Sequence, residues 1–187
     1  MSGKAERNIR VRPWLVFPAL LCLLPAAPAQ TRHDPLNQLE IDQLRDTAQE
    51  PEKRLPLYVQ FARERLVAVE KMRADPKVQD RGAQTHDGLD DFLSVYNELD
   101  DNVDNFADRR DDIRKPLKLI IEADTEFQSK LRAIKDAAGV SPQEASQYEF
   151  VLQDALGTVD DSIDDHRKLL AEQEEAAKNK KKRKAQP

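Results

Sequence analysis

The feature that most constrains the fold is a long series of residues spaced alternately three and four apart. With few exceptions its members are apolar, and they are Leu89, Phe92, Tyr96, Leu99, Val103, Phe106, Arg110, Ile113, Leu117, Ile120, Asp124, Phe127, Leu131, Ile134 and Ala138. A mean repeat of 3.5 residues puts these side chains on one narrow stripe of a helix, which has to be buried against other helices. No segment alternates with the period of two that is typical of strands. The sequence therefore predicts an all-α protein.

Pro116 interrupts this series and marks a helix boundary. A proline costs about 3 kcal/mol in a helix interior and little in the first turn. Asp111 and Asp112 precede it, and aspartate is a favourable N-cap residue. We therefore predict a break near Asp112 and a new helix from Ile113, packed as a tight helical hairpin. A single kinked helix is the alternative.

Further helices flank this pair. Upstream, the same spacing runs from Leu55 to Met72, with a start at either Pro51 or Pro56, and a short segment capped by Asp34 precedes it over residues 35–49. Downstream, Ser141-Pro142-Gln143-Glu144 is a capping box with proline at the first helical position. Short connections near residues 76–84 and 138–141 favour antiparallel neighbours. We expect an elongated antiparallel helical bundle, or coiled-coil-like hairpins, of about four long helices plus a short N-terminal helix.

The first 29 residues have the features of a secretory signal peptide. Four bases precede an apolar run over residues 14–24, and Ala27 and Ala29 provide the small residues that signal peptidase accepts. The run is shorter than the roughly 20 residues that span a bilayer, so an uncleaved anchor is the weaker interpretation. We predict a signal peptide at 1–29, a helical bundle domain at 30–177 and a disordered basic tail at 178–187. The protein is then exported, to the periplasm or beyond the cell, with no transmembrane span after cleavage.

Charge is distributed unevenly along the predicted mature chain. The full sequence has a net charge of −5, and removal of residues 1–29 takes away four bases and one acid, which leaves −8. Residues 178–187 contain six bases and no acid, so the body carries −14. An acidic body argues against nucleic acid as a partner, because such binding depends on neutralising phosphates.

The sequence offers few of the parts that catalysis requires. Its five glycines are too scattered for a phosphate-binding loop, and its one cysteine lies in the predicted signal peptide. No Glu-x-x-His pair of a di-iron bundle is present, because Gln30, Ala83 and Ile163 stand three residues before the histidines. No nucleophile elbow supports a serine triad. We therefore expect no cofactor and no enzymatic activity.

Charged residues on apolar stripes are the unusual feature of the bundle. His166 lies on the stripe of the last helix, beside Asp164 and Asp165, and we interpret it as a buried, hydrogen-bonded imidazole. Asp124 and Arg110 occupy stripe positions of the long series, where an unpaired buried charge costs several kcal/mol. They either pair across helices or mark places where the stripe is open to solvent as a functional groove.

Clusters of aspartates form acidic ridges on two helices. Same-face carboxylates three or four residues apart repel one another, and a cation or a basic partner would relieve that repulsion. A solvated acidic face is the main interpretation. Weak binding of divalent cations is the alternative, with the metal candidates Asp101, Asp104, Asp108, Asp161, Asp164 and Asp165.

These observations predict an exported, non-enzymatic interaction or scaffold protein of the cell envelope, which binds a protein partner or itself. A periplasmic holdase-type chaperone and a weak divalent-cation binder are the alternatives. The basic tail is either a solubilising terminus or a tether to an anionic envelope surface. Its partner-binding candidates are Lys180, Lys181, Lys182, Arg183 and Lys184.

Overall fold

The structure, a computed structural model, describes residues 34–184 and contains five α-helices and no strand over that range. The helices are α1 (Gln38–Asp46), α2 (Pro51–Ala74), α3 (Arg81–Asp108), α4 (Arg114–Lys135) and α5 (Pro142–Lys184). The predicted all-α fold, with four long helices and a short N-terminal one, is confirmed. The predicted signal peptide at 1–29 lies outside the described residues.

The four long helices form a bundle of two antiparallel hairpins, α2 with α3 and α4 with α5. The hairpins lie side by side, with α2 next to α4 and α3 next to α5. Both of these pairs are parallel, as ion pairs between equivalent ends show. Lys115 and Lys130 of α4 contact Glu52 and Glu70 of α2 at 3.2 and 2.7 Å, and Arg81 contacts Glu144 near the starts of α3 and α5 at 2.8 Å.

The chain breaks where Pro116 predicted, because α3 ends at Asp108 and α4 begins at Arg114. Pro116 therefore lies in the first turn of α4, where its missing N–H costs little. The two helices do not form the tight hairpin that we expected. They occupy opposite corners of the bundle, and their stripes meet only in its centre, where Phe92 of α3 packs edge-on against Phe127 of α4 at 5.4 Å.

The helix starts follow the local sequence, with two differences from expectation. α2 begins at Pro51, and α5 begins at Pro142 with its first turn capped by the Ser141 hydroxyl, as the capping box predicts. Asn37 rather than Asp34 caps α1, through a complete capping box. The side chain of Glu144 binds Arg81 of α3 instead of closing the second capping box.

The basic residues 178–184 continue α5 as helix, which differs from the disordered tail that we expected; residues 185–187 lie outside the described range. Lysine, arginine and alanine are good helix formers, and cations near a helix C-terminus interact favourably with the helix dipole. With 43 residues, α5 is about 65 Å long and extends beyond its neighbours.

Candidate functional site

A cluster of polar side chains lies inside the bundle, between α3, α4 and α5. α3 provides Tyr96 and Asp100, one helical turn apart, and α5 provides Ser162 and His166 with the same spacing. Because α3 and α5 are parallel neighbours, these two pairs come to the same level. Asp124 of α4, which neighbours α5 and lies diagonally opposite α3, reaches both pairs because its stripe faces the centre of the bundle.

The cluster is connected by short contacts. Nδ1 of His166 lies 2.9 Å from Oδ2 of Asp124, and the Tyr96 hydroxyl donates to Oδ1 of the same carboxylate at 2.8 Å. On the other side of the ring, Nε2 of His166 lies 3.3 Å from Oδ1 of Asp100. The Ser162 hydroxyl donates to Oδ2 of Asp100 at 2.5 Å. The imidazole is therefore held between two carboxylates from two different helices.

The histidine is protonated at neutral pH. Burial alone lowers the pKa of His166, but its contacts with Asp100 and Asp124 and the negative charge of both carboxylates outweigh burial and raise the pKa to about 9. Burial and the charge of Asp124 raise the pKa of Tyr96, so this phenol stays neutral. The cluster then combines one cation with two anions, and their attraction offsets part of the cost of burying these charges. Oδ1 of Asp100 is buried and accepts no hydrogen bond, so its contact with the imidazole is an ion pair only.

This geometry suits a structural role better than a catalytic one. Asp124 is fully buried and presents no atom to a substrate, and His166 is 4% exposed and presents only a small part of its ring. A general base needs an unprotonated nitrogen within reach of the proton that it removes. Both ring nitrogens of His166 are occupied by carboxylates, and Ser162 donates to Asp100 rather than to the imidazole. The arrangement is an Asp–His–Asp ion pair, distinct from a Ser-His-Asp triad.

A groove of about 360 Å³ lies above this cluster, between α3 and α5. Asp100, Ser162 and His166 form part of its floor. It is lined by five carboxylates, those of Asp100, Asp104, Asp108, Asp165 and Glu172, with Lys168 and His166 as the cationic side chains. We call it the α3–α5 groove.

The carboxylates of the α3–α5 groove repel one another. The pKa of Asp104 is raised, first by partial burial and then by the negative charges of Asp100 and Asp108. Such a raised pKa means that the ionised form of Asp104 is less favourable here than in water. A cation brought to the groove would remove this cost.

All six predicted metal candidates are exposed, and three of them, Asp104, Asp108 and Asp165, line the α3–α5 groove. Asp101, Asp104 and Asp108 follow one another along α3, and Asp161, Asp164 and Asp165 lie on α5. Within residues 34–184, no group of three or more histidine, cysteine, aspartate or glutamate side chains is placed to hold a metal ion.

The structure places Asp124 and Arg110, the two charged residues of the predicted stripe, in different surroundings. Asp124 pairs across helices with His166, which is one of the two interpretations of its position. Arg110 is not on a helix at all, because it lies in the α3–α4 connection (residues 109–113) with φ +62° and is exposed. Because Arg110 lies in this loop and not on the stripe, it needs neither a buried ion-pair partner nor an opening of the stripe to solvent.

The basic tail residues divide into two groups. Lys180, Lys181 and Lys184 line a cleft between the end of α5 and the α3–α4 connection. Lys182 and Arg183 are exposed on α5 but are not part of that cleft. The partner-binding candidates therefore do not share one surface.

Tyr96, Asp100 and Ser162 are the cluster members whose role the sequence did not reveal. Asp164 and Asp165, the neighbours of His166 in the sequence, are both exposed in the structure. The available signal was the stripe itself, because Tyr96, Asp124 and His166 all occupy stripe positions and polar side chains there need partners from other helices.

Over residues 34–184, no helix is both long and apolar enough to cross a membrane. Comparisons with protein-family models, with curated proteins and with solved structures find no match to this chain.

Proposed function

We propose that this protein is an exported, non-enzymatic helical interaction protein of the cell envelope, and that it binds a cationic segment of a protein partner along the α3–α5 groove. The observation that carries this proposal is the concentration of five carboxylates along the α3–α5 groove. Partial burial first, and then the negative charges of Asp100 and Asp108, raise the pKa of Asp104 there. A basic partner would gain the attraction of these charges and relieve their repulsion at the same time.

The ion pairs of the buried cluster support the proposal that the protein is not an enzyme. His166, the one histidine that meets two carboxylates in the described part of the chain, uses both ring nitrogens in ion pairs inside the core. The acids that remain accessible lie along an open groove, where water screens their charge. Binding of an extended partner needs no more than this, whereas acid–base catalysis needs a poised and accessible group.

A holdase-type chaperone has less support. Such a protein needs contiguous exposed apolar surface to hold unfolded clients. Among the described residues the large exposed apolar side chains are Leu39, Leu119 and Phe150, and they lie on three different helices. Single exposed apolar residues are normal on a soluble surface.

The partner proposal is tested with a labelled oligolysine peptide as the cationic probe, in a fluorescence anisotropy titration at about 0.1 M salt. The triple variant Asp104→Asn/Asp108→Asn/Asp165→Asn removes three groove charges. With exposed charge pairs contributing up to about 1 kcal/mol each, we expect affinity to fall roughly tenfold or more.

The matched control is Asp87→Asn/Asp90→Asn/Asp154→Asn, which removes three exposed carboxylates outside the groove. Its binding should stay within about twofold of the unsubstituted protein, because charges beyond a Debye length of about 10 Å are screened. Equal losses in both triple variants would mean that the peptide responds only to net charge, and would contradict a groove-specific partner site.

Export is tested separately by the mass of the protein recovered outside the cytoplasm. Cleavage after Ala29 leaves a chain that begins at Gln30 and contains no tryptophan, since Trp14 is the only one in the sequence. We expect that mass and no indole fluorescence. An intact chain that starts at Met1 and stays in the cytoplasm would contradict export.

A further inference from the structure

The end of α5 forms one wall of a cleft at the end of the bundle. Gln173 fixes α5 to the α3–α4 connection, because its side-chain oxygen accepts from the Ile113 N–H at 3.1 Å and its amide donates to the Asp111 carbonyl at 3.2 Å. From there α5 continues to Lys184, which extends the helix by about 16 Å. The connection forms the opposite wall.

The cleft has an apolar floor and a cationic rim. It has a volume of about 700 Å³, within the range of small-molecule sites. Its apolar lining consists of Ala107, Leu169, Ala176 and Ala177. Its cations come from three segments: Arg110 lies on the connection, Arg114 begins α4, and Lys180, Lys181 and Lys184 lie on the last turns of α5.

Two acids that line the cleft, Asp111 and Asp112, each lie within ion-pair distance of an arginine. Both carboxylate oxygens of Asp112 are bound by the guanidinium of Arg114, at 2.7 and 2.6 Å. Asp111 lies 3.2 Å from Arg109. Within residues 34–184 the side chain of Arg110 forms no ion pair and no hydrogen bond, so its charge faces the cleft uncompensated.

The charges of the rim lysines are also unpaired. Lys180, Lys181 and Lys184 have no ion-pair partner within the described chain, and Glu172 is the one acid of the lining that is not bound to an arginine. Arg110 has a left-handed backbone conformation, which non-glycine residues adopt rarely. That conformation takes it out of α3 and puts it across the cleft from α5.

We infer that this cleft binds the phosphate headgroup of an anionic phospholipid, so that the protein docks end-on at an anionic membrane surface. The rim provides cations for the phosphate, and the apolar floor suits the glycerol and first acyl carbons that a free phosphate lacks. The rest of the molecule favours the same orientation. With a net charge of −14 outside residues 178–187 of the predicted mature chain, the body is repelled by the surface, and the cationic end approaches first.

The cleft adjoins the α3–α5 groove and shares Ala107, Leu169 and Glu172 with it. None of the residues substituted in the two tests is common to both, so each proposal can fail without the other. The test is flotation of the purified protein with vesicles of phosphatidylcholine, alone or mixed with phosphatidylglycerol. We expect binding to the anionic vesicles only. Each base near a charged membrane contributes about fivefold to binding, so Lys180→Gln/Lys181→Gln/Lys184→Gln should weaken it roughly 100-fold.

The matched control removes the same charge from the same segment but leaves the cleft intact: Lys178→Gln/Lys182→Gln/Arg183→Gln. It should bind at least about tenfold more tightly than the cleft variant, because its substituted positions do not line the cleft. Arg110→Gln, which lies outside the basic tail, should lower binding about fivefold. Circular dichroism of each variant checks that the exposed substitutions leave the helices folded.

Three results would overturn the inference. Equal losses in the two triple variants, with Arg110→Gln unchanged, would assign binding to the charge of the tail rather than to the cleft. Binding of free glycerol phosphate with the affinity measured for vesicle lipid would identify a soluble phosphate ester as the ligand. Tighter binding to a single-stranded oligonucleotide than to the anionic vesicles would identify nucleic acid as the partner.

Discussion

Raising the pH from about 6.5 to about 9 is expected to destabilise the folded protein, because His166 binds its proton more tightly in the bundle than in the unfolded chain. The contacts with Asp100 and Asp124 raise the pKa of His166 from 6.5 to about 9. One pKa unit corresponds to about 1.4 kcal/mol, so the shift contributes about 3 kcal/mol to the free energy of unfolding. Since the pKa is raised on folding, this contribution is complete below pH 6.5 and is lost as the pH rises through about 9.

The assay is urea unfolding followed by circular dichroism at several pH values in this window. A parallel titration of the His166 ring by NMR should give a pKa near 9. Tyr96 does not interfere, because its raised pKa places any loss of stability from the phenol above pH 10.

Two substitutions distinguish the contribution of His166 to this pH dependence from the contributions of other titratable groups. His86 is about half exposed and its ring lies near Asp87, so His86→Gln should keep the decline of the unsubstituted protein. His166→Gln should not show this decline with pH. Its free energy of unfolding should be lower by about 3–5 kcal/mol at neutral pH, because the substitution leaves buried carboxylates without their cation. A free energy of unfolding that stays constant within about 1 kcal/mol across the window in the unsubstituted protein would refute the reasoning, whether or not His166→Gln folds.

Two further predictions concern packing and hydrogen bonding in the core, and both are measured as changes in the free energy of unfolding. A methyl group on Gly88 of α3 would lie 2.5 Å from the Val69 side chain of α2, so Gly88→Ala should destabilise by about 1–2 kcal/mol despite its better helix propensity. The control is Gly157→Ala in α5, where the added methyl meets nothing within 4 Å and should stabilise the protein by about 0.5–1 kcal/mol. If both substitutions changed the free energy of unfolding in the same direction, the close approach of α2 and α3 would be contradicted. Tyr96→Phe removes the hydroxyl that donates to buried Asp124 and should cost about 1–3 kcal/mol, and an unchanged stability would show that this bond contributes nothing.

Much of the fold was predictable because helix signals are local. The spacing of three and four identified the buried faces of α3 and α4, Pro116 located the break between them, and Ser141 marked the start of α5. These features depend on residues within one or two turns of each other. The helical form of residues 178–184 was not predicted, because repulsion between like charges disfavours a helix there whereas cations at a helix C-terminus favour it.

The site was predictable only in part. The position of His166 on a stripe predicted a buried, hydrogen-bonded ring, and the position of Asp124 predicted either a partner on another helix or an opening to solvent. The sequence did not identify the partners of His166 and Asp124. Asp100 belongs to an acidic series whose members look alike in the sequence, and only the packing of α3 beside α5 turns this one toward the histidine.

The amino-acid sequence by itself determined the number of helices, most of their ends and the face that each one buries, because propensity, capping and periodicity act over a few residues. Tertiary structure alone decided that α3 and α4 take opposite corners and that α3 lies parallel to α5. That choice depends on how whole helix surfaces fit together, which no local pattern encodes. It brings Asp100, Asp124 and His166 within ion-pair distance, and it places Arg110 opposite the lysines of α5.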